Sequence, residues 1–482
     1  MIPLMRKDGN VVNPERELNC LGEYDVVVAG GGMAGFGAAL AAARLGCRTL
    51  LVERESALGG LATLGLVNIP MDFAAGISKE MLARLDTVNG HWHRNSDPEK
   101  HKLILDRMVK EAGVNLLLVS HVVESIVENG VIKGVVIESK TGRQAVLAKR
   151  VIDCSGDADV AFFAGCECMQ GRESDGKHQA CSLEFRLGGV DWDTYNNSDL
   201  KRDDPMWVKL IAAALKDGDM PYMIENHLNW VTHVPGRPQH CGQDEISMCF
   251  AHSRNCNPLE AADLTRMYLE GREQADILWQ FIKKRTPGFE KCYLIDTGVL
   301  LGVRESRRVV GEYILSALDF ARAVTFEDTV CLTGHHYDLH NPDGPGVIKW
   351  AELEINGETH YVSTNGPGGS WPPPGGFENI SDAYGRKGDA FQRKELPSSI
   401  PYRSLVPLKI ENLLVAGRCL SSECMAQAGC RLVLTCLNMG QASGTAAALS
   451  LRKDVIPRKL DHRELRAQLL NDGCEIGQSL IP

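Results

Sequence analysis

The chain has 482 residues, 44% of them hydrophobic and 24% charged, the proportions of an ordinary globular protein with material for about three average domains and a sizeable core. A formal net charge of −10 excludes a sequence-blind phosphate binder, which needs clustered Lys and Arg, so nucleic acid is not an expected partner. No apolar run reaches the length of a membrane span or of a signal-peptide core, and the 16 cysteines stand in apolar contexts as reduced, buried thiols do. A cytoplasmic protein without membrane attachment is expected.

Residues 1 to 20 carry mixed charge without periodicity. Tyr24-Asp25-Val26-Val27-Val28-Ala29 then predicts a buried parallel strand, the Ala-dense stretch Gly35 to Leu45 a helix closed by Gly46, and Thr49-Leu50-Leu51-Val52 a second strand. Together they form a βαβ unit. A helix over about His101 to Ala112 leads into Asn115 to Val119, and the runs Val122 to Val127 and Val131 to Glu138 flank Asn129-Gly130, a hairpin signal. The short strand Arg150 to Asp153 ends in Cys154-Ser155-Gly156-Asp157, small residues that suit close ligand approach. From about Glu167 to Ser399 the pattern loosens around a helix predicted over Leu259 to Lys284 and a Pro/Gly-rich loop at Asn365 to Gly376, the mark of an inserted second domain. Strand character returns at Asn412 to Gly417, and a small-residue helix is predicted from Cys436 to Leu449.

Gly30-Gly31-Gly32-Met33-Ala34-Gly35 fits G-x-G-x-x-G between strand and helix. Gly30 allows the tight turn, Gly32 the approach of a pyrophosphate, and Gly35 close packing of the helix, whose free N–H groups suit phosphate. Glu53 ends the second strand, where a carboxylate accepts hydrogen bonds from ribose hydroxyls. These residues predict a dinucleotide site. Beyond it, Arg54 to Thr63 holds the pair Gly59-Gly60 followed by Leu61 and Ala62, a segment that resembles the flavoprotein loop running on toward the flavin, so FAD rather than NAD is the expected cofactor.

With these motifs the chain resembles the FAD-dependent oxidoreductase family of the glutathione-reductase-like superfamily, relatives of the fumarate reductase flavoproteins. The resemblance runs over nearly the whole length. It rests on Glu15-Arg16-Glu17-Leu18, the fingerprint with Gly59-Gly60, Ile152 to Asp159, Gly302 to Arg308, Asp338 to Gly344, Ile400 to Leu405 and Asn412 to Gly440. It implies an α/β architecture: a Rossmann-like FAD-binding domain over residues 21–166 and 400–482, with an inserted α+β substrate or cap domain over 167–399. It further implies that Val122 lies beside the adenine, Ser155, Gly156 and Asp157 near the adenosine and pyrophosphate, and Gly417 and Arg418 at the ribityl-phosphate region. A helix beginning near Met439 and Gly440 would point its N-terminus at the flavin N1–C2=O edge, stabilising the negative charge of the reduced ring. Ser421-Ser422-Glu423-Cys424 replaces a segment in which the subfamily often has a His, so no role is carried over from it. No cysteine lies in Gly59 to Gly65, which excludes the redox pair of the disulfide reductases.

A flavin enzyme must still position its substrate and move a proton. His335, His336 and His340 cluster before an Asp-Gly turn; His335 and His336 are the candidate general bases, against the alternative of hydrogen-bonded loop histidines. Their H-H-x-x-x-H spacing matches no zinc pattern, and Cys419, Cys424, Cys430 and Cys436 lack cluster spacing, so no metal is expected. Arg307 and Arg308 read as strand-holding partners of acids such as Glu305 and Glu312, whereas Arg304 is a candidate anchor for a substrate carboxylate or other anion. The leading expectation is hydride exchange between a small polar organic substrate and flavin N5, with an unidentified electron acceptor. A fumarate-reductase-like alkene reductase and a non-catalytic flavin-binding subunit are the alternatives, and a homo-oligomer is left open.

Overall fold

A computed structural model describes residues 5–7, 10–12, 17–235, 244–355, 357–364, 370–376, 379–382 and 397–477. Glu15 and Arg16 of the resemblance, and residues 365–369 of the Pro/Gly-rich loop, lie outside the described residues. The N-terminal part opens with β1 (Asn19–Ala29), α1 (Met33–Arg44) and β2 (Thr49–Val52). Helix α1 is buried from Met33 to Ala42, which its Ala and Gly side chains make possible in a space too narrow for larger ones. Gly46, at φ +90°, closes it as the sequence predicts. Helices α2 (Gly76–Thr87) and α3 (Pro98–Glu111) follow, the latter capped by Asp97, and then β3 (Asn115–Leu117), β4 (His121–Glu128), β5 (Val131–Ser139) and β6 (Gly142–Asp153).

Strands run in the order β3-β2-β1-β6-β5-β4, parallel from β3 to β6 and antiparallel through β5 and β4. Asn129 and Gly130 both adopt positive φ, 51° and 77°, as a tight hairpin turn requires. The strand expected at Arg150 to Asp153 is only the end of the longer β6. Its first half pairs with β5, while Val151–Asp153 pairs with residues 413–415, so the N- and C-terminal parts of the chain complete one seven-stranded sheet.

After the short α4 (Asp159–Phe163), a separate antiparallel sheet forms from β7 (Cys181–Val190), β8 (Trp230–His233), β9 (Asp244–Ser253) and β10 (Tyr293–Thr297) in the order β8-β9-β7-β10. Helix α5 (Ala261–Arg285) packs on one face of it, where Phe185, Leu187, Ile246, Met248 and Phe250 share a core with Leu278, Phe281 and Ile282. The opposite face of the sheet is polar. It meets the first part of the chain: Ser247 Oγ donates to Leu66 O at 3.0 Å and Thr232 Oγ1 to Asn68 Oδ1 at 2.7 Å.

The chain returns through β11 (Thr329–Thr333), β12 (Ser398–Pro401) and β13 (Leu413–Val415), then α6 (Cys424–Cys430), α7 (Val433–Arg452) and α8 (His462–Asn471). Helix α7 crosses α1 at glycine contacts. A Cβ on Gly440 would lie 1.9 Å from Ala34 O, and one on Gly444 2.2 Å from Ala38 O. The expected helix start near Met439 is thereby corrected: α7 begins at Val433, and Met439 and Gly440 lie buried inside it against α1.

Candidate functional site

The fingerprint glycines are built as cradle elements. A Cβ on Gly30, at φ +99°, would lie 2.4 Å from Cys154 O, and one on Gly35 1.7 Å from Gly30 O, so neither position admits a side chain. Gly32 differs: a Cβ there would meet nothing within 4 Å, which leaves open space over the first turn of α1, at Met33 and Ala34. The N–H groups of that turn have no partner within the helix. At the end of β2, Glu53 is buried, and its carboxylate accepts from the N–H groups of Gly31 and, at 2.8 Å, Glu55. Burial raises its pKa, and these two donors counter that.

Arg54 follows with an exposed side chain, 3.3 Å from Glu55. Ser120 N donates to Glu53 O at 3.0 Å and Val119 N to Glu55 O at 3.1 Å, which fixes the turn leading to the buried Val122. Gly59 and Gly60, at φ 98° and 54°, start a short helical turn through Leu61 and Ala62; Gly59 N donates to Gly31 O at 2.9 Å and lays the second glycine loop on the first.

Two distant segments converge on the loop after β6. Asp157 Oδ1 takes Arg418 Nη2 at 3.1 Å and Ser306 Oγ at 2.6 Å, while Arg307 donates to Asp157 O at 3.0 Å and to Asp159 at 2.9 Å. A Cβ on Gly156, at φ +84°, would displace the Arg418 guanidinium, whose Nη2 would lie 2.4 Å from it, and Gly417, at φ +90°, sits against Ala34. Ser155 donates to Asp153, whose carboxyl is raised by burial to about 6. Arg307 thus serves this loop through Asp159 rather than through Glu305 or Glu312. Arg308 pairs with Glu305 and Arg458 with Glu312.

The polar face of the second sheet supplies the other half. Along β7 the alternation places Ser182 and Glu184 opposite Leu183 and Phe185. A register shift in the β7/β9 pairing at Leu183/Phe185 changes the phase of β9, and Cys249 and His252, otherwise on opposite faces, meet at 3.9 Å. Arg304 reaches the same place. Its Nη1 donates to Ala180 O at 2.8 Å, and its Nη2 lies 3.6 Å from Cys249 Sγ and 3.3 Å from His252 Nε2. His340 stacks on His252 with centroids 5.2 Å apart, and Asp338 pairs with Arg431 at 3.3 Å.

Of the histidines expected together, only His340 joins Arg304. His335 and His336 stack on each other at 4.2 Å, and the preceding Gly334 N donates to Asp72, which also accepts from Thr435 of α7. Burial drives His336 down to about 4 and His340 to about 3. Sequence reasoning missed Glu184, His252, Arg431 and Ser306. The polar-apolar alternation of Ser182-Leu183-Glu184-Phe185 was the one available signal, for Glu184. Among the described residues no group of three His, Cys, Asp or Glu side chains is placed to hold a metal ion, and no helix is long and apolar enough to cross a membrane.

A Rossmann-like parallel sheet with two glycine loops over a helix start, closed by an Arg from the far end of the chain, defines a dinucleotide-binding flavoprotein. The chain belongs to the FAD dependent oxidoreductase family, whose model matches residues 25–469, and is an enzyme that uses FAD. It is similar to digeranylgeranylglycerophospholipid reductase 2 of Methanopyrus kandleri, 30% identical over 203 residues that cover 35% of this chain and 51% of that protein. The tRNA uridine 5-carboxymethylaminomethyl modification enzyme of Geobacter sulfurreducens is 34% identical over 154 residues, covering 28% and 24%. The chain spans about half the length of the curated reductase it matches, and less of the second protein. Among solved structures, a geranylgeranyl bacteriochlorophyll reductase-like protein of Thermoplasma acidophilum aligns with a TM-score of 0.44 at 14% identity, covering 94% of this chain and 84% of that one.

Proposed function

We propose that the enzyme exchanges hydride with a small polar organic substrate bound between the polar face of the β7–β10 sheet and the FAD-binding part of the chain. When bound, FAD supplies a two-electron hydride acceptor or donor at its N5. On this reading Gly30, Gly32, Met33, Ala34 and Gly35 hold the pyrophosphate, Glu53 and Arg54 border the adenosine ribose, and Val122 packs by the adenine. Ser155 to Asp157 with Gly417 and Arg418 hold the central part, and Gly60 to Ala62 lead toward the ring. The dipole role expected of Met439 and Gly440 passes to the start of α7 at Val433, while those two residues fix that helix on α1.

The observation that carries the substrate class is the buried polar cluster of Glu184, Cys249, His252, Arg304 and His340 on that face. A digeranylgeranylglycerophospholipid reductase, as the Methanopyrus relative is named, takes a lipid and would need an apolar surface there. That name supports the reductive direction as the second reading.

For the proton we favour His335 over His336. His335 Nδ1 lies 2.9 Å from the His336 carbonyl oxygen, which holds the proton on Nδ1 and leaves Nε2 as acceptor, whereas burial makes His336 a poor base. The test is anaerobic bleaching of the bound flavin by sugars, hydroxy acids and amino acids. At least one class should bleach it, about a hundredfold more slowly in His335→Ala at unchanged FAD content. A flavin that dithionite reduces but no member of the panel does would overturn the substrate class. An unaltered rate in His335→Ala would remove the histidine from the mechanism.

A further inference from the structure

Buried cations need counter-charges, and among the described residues the arginines of this polar cluster have a carboxylate in direct contact, with one exception. Arg254 pairs with Glu225 at 2.7 Å, Arg431 with Asp338 at 3.3 Å and Arg418 with Asp157 at 3.1 Å. Arg304 is only 8% exposed, yet its side-chain partners among the described residues are a carbonyl oxygen, a thiol and an imidazole, all neutral. The imidazole is neutral by its own bonding as well. His252 Nε2 faces two donors, Arg304 at 3.3 Å and Asn229 Nδ2 at 3.0 Å, so it is the acceptor and the ring proton sits on Nδ1 toward Phe250 O, with Glu225 Oε2 3.6 Å from that nitrogen. Glu184, a neighbouring carboxyl, makes no direct ion pair with Arg304; its Oε1 takes Ser182 Oγ at 2.8 Å, and burial pushes its pKa up to about 7 against the pull of the Arg304 charge.

A buried guanidinium without a directly bonded carboxylate carries a desolvation cost that the more distant Glu184 and Glu225 offset only in part, and that a bound anion offsets further. Three further buried polar atoms in the same cluster, His340 Nδ1, Arg431 Nε and Glu184 Oε2, have no hydrogen-bond partner among the described residues. We propose that Arg304 is the centre of an anion subsite that takes the carboxylate of a small organic acid. One unmatched positive charge suits a monoanion rather than a phosphate dianion, and the planar fork of the guanidinium matches the two oxygens of a carboxylate. The proposal rests on the polar-substrate reading and narrows it to carboxylic acids.

Binding, not turnover, tests it, so an outcome here is separable from a failure of the hydride reading. The FAD-loaded enzyme is titrated with glycolate, glycolamide and inorganic phosphate by calorimetry, with flavin absorbance confirming equal FAD content in every sample. Glycolate should bind at least about tenfold more tightly than its neutral amide and than phosphate, on the scale of one lost charge-assisted contact. Arg304→Gln should abolish that preference, Arg304→Lys should weaken it, and the exposed Arg202→Gln should leave it unchanged. Equal affinity for glycolate and glycolamide in the unmodified enzyme overturns the proposal even if no Arg304 variant folds. So does glycolate binding that survives in folded Arg304→Gln, or a preference for phosphate.

Discussion

Glu53 carries two backbone donors on its carboxylate, and this sets how it answers to substitution. Gln keeps one acceptor oxygen but turns an N–H toward either Gly31 N or Glu55 N, while Arg removes both acceptors and brings a cation among donors. FAD affinity should fall about tenfold in Glu53→Gln and be lost in Glu53→Arg, measured by quenching of FAD fluorescence on titration into apoprotein. Equal affinities in the two variants would take Glu53 off the ribose. The same residue shows which parts of a site a sequence can reveal. Glu53 and the fingerprint glycines are legible because strand, turn and helix are contiguous and each glycine answers to a local backbone need. The circle around Arg304 is not. Glu184, His252, His340 and Arg431 come from separate segments, and the position of His252 depends on a register shift that strict alternation would miss.

Among the elements, α1, β2 and the β4–β5 hairpin stand where periodicity and turn chemistry put them, and β1 begins at Asn19, five residues before the apolar run that predicts it. The start of α7 does not, for a physical reason: its N-cap is Leu432, without a capping side chain, so no Ser, Thr, Asp or Asn announces the helix. The first strand of the inserted sheet was missed because Ser182 to Leu187 alternates polar and apolar residues rather than forming a continuous apolar run like those that mark β1 and β2. The α1–α7 crossing and the helix start beside it can be separated by two alanine substitutions. Gly32 has φ −62° and open space at its Cβ, so Gly32→Ala should leave the unfolding temperature of the apoprotein unchanged and weaken FAD by crowding the pyrophosphate. Gly440→Ala places a methyl 1.9 Å from the Ala34 carbonyl, backbone that cannot yield, and should cost about 1–3 kcal/mol of apoprotein stability. Thermal unfolding of both apoproteins, followed by FAD titration, checks the pair. A destabilised Gly32→Ala, or a Gly440→Ala as stable as the parent, would contradict this account of the crossing.

Over the whole molecule, buried titrating groups pull stability in opposite directions as pH changes. His101, His336 and His340 are driven by burial to about 4, 4 and 3, so between those values and the ordinary 6.5 the unfolded chain binds more protons than the folded one. Their contribution is present above pH 6.5 and is lost as pH falls toward the folded values. Asp153 and Glu184, raised by burial to about 6 and 7, act the other way: the folded chain holds their protons longer, so their contribution declines as pH rises from the ordinary carboxyl range through those values. The opposition blunts any change in the parent protein, and a variant must isolate one term. His101 is suited to this because it lies on α3, its Nε2 3.2 Å from Met81 Sδ of α2 and its Nδ1 without a partner. In His101→Leu the difference in unfolding free energy from the parent should shift in favour of the variant by about 1.7 kcal/mol in all on acidification from 6 to 4.5. Denaturant unfolding of both apoproteins across that window measures it. A difference independent of pH would mean that His101 takes up its proton as readily in the folded chain as in the unfolded one, and that acid sensitivity arises at other groups.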